Sequence, residues 1–188
     1  FLSYGIVKIV ALFAALAAAA LALKKALIDL PLAAAKVARE FEATGQQMAS
    51  FLRSAEASMK IMAQANALAA RFGMEVDDLR KGLFELTKVQ QNQDAVVAAF
   101  LNAAAATGRS FGEIAAQYSE ILRASADQRS RLVQQFAKDM DITVRDYANT
   151  AELIDAINKR FTGSADAYSQ TTKGMLGRIR GYWTEFMT

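Results

Sequence analysis

The side chains that carry out most enzyme chemistry are missing from this sequence. Among 188 residues there is no His and no Cys, which excludes imidazole bases, thiolate nucleophiles, zinc ribbons, iron–sulfur clusters and disulfides. Carboxylates remain. Asp77 with Asp78, and Asp139 with Asp141, are the acidic clusters that glycosidase-type chemistry would have to use, and that chemistry needs opposed carboxyl groups about 5 to 9.5 Å apart across one bond. Neighbouring acids on a helix surface point in different directions, so these four read as caps and solvated faces. The expectation is a protein that is not an enzyme, with no catalytic residue, metal site or cofactor. The other available chemistry is phosphate recognition. Lys159, Arg160, Lys173, Arg178 and Arg180 face only Asp166 and Glu185 in the last thirty residues, with Tyr182 and Trp183 among them, and this local balance equals the +3 of the whole chain. It permits transient contact with DNA but does not mark a dedicated nucleic-acid binder.

These residues must be positioned by helices. The chain holds 39 Ala, one Pro and ten Gly, and it is rich in Leu, Gln, Arg, Lys, Glu and Met, the strong helix formers. An all-α fold is expected, in three segments. Residues 1–45 form an Ala-rich apolar helical segment. From Ile9 to Leu23 runs an unbroken apolar stretch of fifteen residues closed by Lys24 and Lys25, about 22 Å as a helix, against a hydrocarbon core of about 30 Å. Ile9, Leu12, Phe13, Leu16, Leu21 and Leu23 would pack at an axis between copies of the chain or against a surrounding wall, or enter a membrane. Pro31 breaks the pattern. The opening Phe1 suggests an internal piece of a longer protein.

Residues 46–158 read as a helical repeat region. No Pro or Gly interrupts Gln46 to Phe72, where Met48, Phe51, Leu52, Ala55, Met59, Met62, Ala65, Ala69 and Phe72 recur at steps of three or four; this predicts one long amphipathic helix with its methionines in the core. Three helix starts follow, at Glu75-Val-Asp-Asp78, Ser110-Phe-Gly-Glu113 and Thr143-Val-Arg-Asp146, spaced by 35 and 33 residues. Gly73 and Gly108 precede the first two where a left-handed C-cap belongs, and Asp141 stands in that place before the third. The period suggests stacked helix–turn–helix units. Their apolar stripes are Val76, Leu79, Leu83 and Leu86; Phe111, Ile114, Tyr118 and Ile121; and Val144, Tyr147, Ala151 and Ile154.

Residues 159–188 are a basic, glycine-striped amphipathic helix. From Thr172 onward, at about 100° per residue, Gly174, Gly177 and Gly181 share one side while Leu176, Ile179, Trp183 and Phe186 gather on the other. The expectation is a helix held by its own domain through Trp183 and met by another backbone along the glycines. Gly163, Thr171, Gly174, Gly177, Gly181, Tyr182 and Trp183 are therefore the candidate interaction residues.

The span Phe161-Thr-Gly163-Ser-Ala165-Asp-Ala-Tyr-Ser-Gln-Thr171-Thr-Lys-Gly174-Met-Leu176-Gly-Arg-Ile179, running into Tyr182-Trp183, resembles the segment that follows the helical repeats in tail tape measure proteins of long-tailed phages. A glycine after an aromatic, an Ala-rich polar helix, a T-x-x-G step and an amphipathic helix with a late Trp carry the resemblance. It implies a long helical chain that fills the tail tube or tip, sets tail length and assists genome delivery across the host envelope. The implied partners are further copies of itself in a symmetric oligomer (a trimer), the tail tube, distal tail and hub or baseplate proteins, the host membrane, and DNA during ejection. The implied location is the virion, in the tail lumen or tip, and the host envelope after ejection. The apolar run keeps open an alternative, a membrane-inserting or pore-forming helical protein not of phage origin.

Overall fold

The computed structural model describes residues 43, 45–46, 48–50, 53–91 and 93–187, with side chains described as far as Tyr182. The apolar residues Ile9, Leu12, Phe13, Leu16, Leu21 and Leu23, the break at Pro31 and the Trp183 side chain lie outside this set. Among the described residues every regular element is α-helical: α1 (Ala55–Phe72), α2 (Val76–Lys88), α3 (Asp94–Thr107), α4 (Phe111–Arg123), α5 (Ala126–Asp139), α6 (Thr150–Phe161), α7 (Ser164–Ser169) and α8 (Thr172–Met187). The expected all-α class holds. Among the described residues no helix is long and apolar enough to cross a membrane.

The long helix expected from Gln46 to Phe72 is interrupted. Arg53 takes a positive φ of 51°, and Ser54 restarts the helix as an N-cap, its Oγ accepting the N–H of Ala57 at 3.1 Å. A Ser cap competes with helix continuation by offering the orphan N–H groups a side-chain acceptor. The restart rotates the buried face. Met48 and Met62 are buried as expected, but Met59 is 62% exposed and Ala55 is exposed. Ser58 takes a buried place instead, its Oγ donating to the Gly45 carbonyl at 2.9 Å.

Two of the three expected helix starts are correct. Gly73 (φ 74°) and Gly108 (φ 72°) close α1 and α3 in the left-handed region, and Glu75 and Ser110 precede α2 and α4. The acids act differently from a simple capping box. The Glu75 side chain makes no cap bond, whereas Asp78, inside α2, caps α4 across the chain. Its Oδ1 accepts from Ser110 Oγ at 2.5 Å and from Gly112 N at 3.0 Å, and its Oδ2 from Phe111 N at 2.8 Å. A carboxylate on the positive end of a helix satisfies orphan donors and favours the dipole together, so this one residue locks α2 to α4.

The third start fails. Asp141 does adopt φ 51°, but the helix begins at Thr150, capped by Asn149, whose Oδ1 accepts from Ala151 N at 3.0 Å and Glu152 N at 3.3 Å. The preceding turn is held by the Glu152 carboxylate, which accepts from Arg145 N at 2.8 Å and Asp146 N at 3.2 Å. The expected stripe breaks accordingly: Tyr147 and Ala151 are exposed, and Leu153, Ile154, Ile157 and Phe161 form the buried face of α6.

The core is centred on α3, which is buried on most of its circumference through Val96, Val97, Ala99, Phe100, Leu101, Ala103 and Ala104. It meets α4, α6 and α7, while α2 lies against α1 and α4. The stripes of α2 and α4 supply the other wall. Leu79, Leu83, Leu86 and Ile114 are fully buried, each worth about 1.5–3 kcal/mol by transfer. Gly45 to Phe186 pack as one unit.

Candidate functional site

The T-x-x-G step is an N-cap. Thr171 Oγ1 accepts the N–H of Gly174 at 3.1 Å and donates to the Tyr168 carbonyl at 2.7 Å, so one hydroxyl closes α7 and opens α8. A Thr at the cap with the N–H three residues on is the ordinary geometry of a helix start. Upstream, Gly163 (φ 82°) turns the chain from α6 into α7, and Ala165 N donates to Asn102 Oδ1 of α3 at 2.9 Å. Arg71 and Asp166 add a surface ion pair at 3.6 Å between α1 and α7.

The glycine stripe meets a backbone, and that backbone is the chain's own. A Cβ placed on Gly177 would stand 2.7 Å from the Gly73 carbonyl carbon and closer still to its oxygen. One placed on Gly181 would stand 3.0 Å from Ala70 N and 3.1 Å from the Ala69 carbonyl carbon. One placed on Gly73 would strike the Gly174 carbonyl. The last turn of α1 and the first three turns of α8 therefore touch main chain to main chain, as small residues allow. Gly177 and Gly181 are required by this approach, and Gly174 by another, since a Cβ there would strike the Tyr168 carbonyl of α7; three helical glycines together cost about 3 kcal/mol against Ala.

The apolar side of α8 is correspondingly free. Met175 is 47% exposed, Leu176 58%, Ile179 65% and Tyr182 54%. The glycines, expected to meet another backbone, lie against the chain's own, and the apolar residues as far as Tyr182 are exposed. The reason is steric: only the side without Cβ atoms can approach the Gly73 cap. The Trp183 side chain, expected to hold the helix to its domain, lies outside the described residues. A contiguous exposed apolar ridge on a helix is a common mark of an interaction surface.

Beside the ridge lies a cleft of about 550 Å³ between α8 and the start of α4, lined by Asp78, Arg109, Ser110, Lys173, Leu176 and Arg180 among others. Its carboxylates are engaged. Asp78 caps α4, and Glu75 pairs with Arg180 at 3.9 Å. Arg109 Nη2 donates to Gln117 Oε1 at 2.8 Å, while its Nη1 is buried with no acceptor among the described residues. Nothing in the sequence marked Arg109, since a lone Arg beside a turn glycine carries no pattern.

The acidic clusters are used in the scaffold. Asp77 accepts from Arg80 Nη1 at 3.0 Å, Asp139 from Gln135 Nε2 at 2.9 Å, and Asp141 pairs with Arg160 at 3.2 Å. Arg80 is itself buried, and desolvation lowers its pKa from the ordinary guanidinium value against the pull of Asp77; Asn66 Oδ1 accepts from its Nη2 at 3.1 Å. Tyr118 is buried at 3% exposure and edge-on to Phe100, with ring centroids 5.1 Å apart. Burial raises its pKa, opposed by a hydrogen bond with Thr150. Among the described residues no group of acids is placed to hold a metal ion. No protein-family model, curated protein or solved structure matches the chain.

Proposed function

We propose that the chain is a structural, non-enzymatic part of a long-tailed phage or phage-like tail, of the tape measure kind. In this reading it fills the tail tube or tip, helps to set tail length and assists delivery of the genome across the host envelope. Its copies gather as a symmetric oligomer, a trimer, through the apolar run, next to tube, distal tail and hub proteins. The observation that supports it most is the segment carrying the resemblance. From Gly163 to Gly181 its signature positions each have a mechanical use: a left-handed turn, a Thr cap and a glycine seat that fixes α8 with its apolar ridge outward. Such a piece presents a surface and holds it rigid, as an assembly component must.

A second reading, a membrane-inserting or pore-forming helical protein, draws on the same ridge, since Met, Leu, Ile and Tyr beside Lys and Arg also suit a lipid interface. The two are separated genetically. Deleting the encoding gene in its genome of origin should leave filled heads with absent or length-disordered tails under electron microscopy, and tails of normal number and length would refute the tail reading.

A further inference from the structure

We propose that the outer side of α8 and the cleft beside it form a docking site for an acidic amphipathic helix of a partner protein, whose apolar residues cover Leu176 and Ile179 and whose carboxylates meet Arg109 and Lys173. The inference goes beyond the tail reading and does not depend on it.

The geometry of α8 sets the first condition. At about 100° per residue, the exposed Met175, Leu176, Ile179 and Tyr182 occupy one arc of the helix, opposite the glycines. Lys173 and Arg180 fall on one flank of that arc and Arg178 on the other. Backbone contact with Gly73, Ala69 and Ala70 holds α8 from behind, so the ridge is offered pre-formed, and little ordering is needed when a partner arrives.

Charge sets the second condition and names the partner. Lys173, Arg178 and Arg109 have no carboxylate within ion-pair distance among the described residues, whereas the acids that line the cleft are already committed to the α4 cap and to Arg180. A carboxylate entering the cleft meets the positive charge of Arg109, which lines it and is otherwise held only by Gln117 among the described residues. A second copy docked ridge to ridge would bring Lys173, Arg178 and Arg180 against their own equivalents, and like charges reject that pairing. A flat bilayer covers the ridge but leaves the recess between α8 and α4 unfilled. An amphipathic helix with apolar residues at three- and four-residue steps and acids along its edge meets both conditions.

The test uses the intact chain as bait for a yeast-displayed library of random segments of about 14 residues, roughly four helical turns. Expected is enrichment of Leu or Ile at helical spacing together with Asp or Glu. Affinity of a selected segment should then fall about tenfold in Arg109→Gln with Lys173→Gln, and likewise in Leu176→Ser with Ile179→Ser, but stay unchanged in Lys138→Gln. Circular dichroism shows that each variant folds. Basic or neutral selected segments, no enrichment, or indifference to both double variants would overturn the proposal. So would co-flotation with phosphatidylglycerol vesicles, or concentration-dependent dimerisation in sedimentation, that Leu176→Ser abolishes in the absence of any selected binder.

Discussion

Replacing Gly177 by Ala sets two effects of opposite sign against each other. In a solvated helix the change raises stability by about 1 kcal/mol, because Ala loses less backbone entropy than Gly on folding. Against the Gly73 seat the new Cβ falls 2.7 Å from a carbonyl carbon, where real Cβ contacts stay beyond 3.0 Å. The neighbour is main chain in a left-handed cap and cannot rotate aside, so α8 must slide or lift. Overpacking of that kind costs about 1–3 kcal/mol or more, and the expected net effect is a loss of about 1–2 kcal/mol. For a chain of this size that is a fall of a few degrees in Tm. Urea denaturation of the full chain, followed by circular dichroism, gives the sign directly. Limited trypsinolysis adds a local readout, because cleavage after Arg178 and Arg180 should accelerate once α8 lifts. A Gly177→Ala protein that is more stable than the parent, with unchanged cleavage, would mean that α8 is free of the Gly73 cap and would falsify the seat.

The cap that joins α2 to α4 should behave as a unit. Asp78→Ala is expected to cost about 1.5–3 kcal/mol and Ser110→Ala about 1 kcal/mol, with the double variant costing less than the sum; strict additivity in a double-mutant cycle would show that the two do not cooperate. Tyr118 sets a pH dependence at the alkaline end. Its phenol is harder to ionise in the folded chain, so the unfolded chain binds fewer protons above about pH 10, and stability should fall there by as much as about 1.4 kcal/mol per pH unit until the folded pKa is passed. The comparison is with Tyr118→Phe, which removes that component; parallel stability profiles for the two proteins would contradict it. In the core, Leu83→Ala should cost about 2–5 kcal/mol by denaturant titration, and a loss below 1 kcal/mol would mean the α2–α4 wall is not packed as described.

Helix content, the left-handed caps at Gly73 and Gly108, and the buried stripes of α2 and α4 were legible in the sequence, because each depends on neighbours within a turn or two. Composition and three-to-four spacing determine local structure when a residue's partners are close along the chain. Positions with distant or competing partners were not legible. Ser54 and Asn149 ended or delayed helices that periodicity alone would have continued, since a short polar side chain can satisfy the backbone in either state. Asp78 looked like part of its own helix start and instead caps a helix more than thirty residues later. The glycine and apolar sides of α8 were both visible as stripes, but spacing is symmetric with respect to inside and outside. Which side faced inward was decided by the tertiary structure, through the carbonyl of Gly73, against which only a side without Cβ atoms can lie.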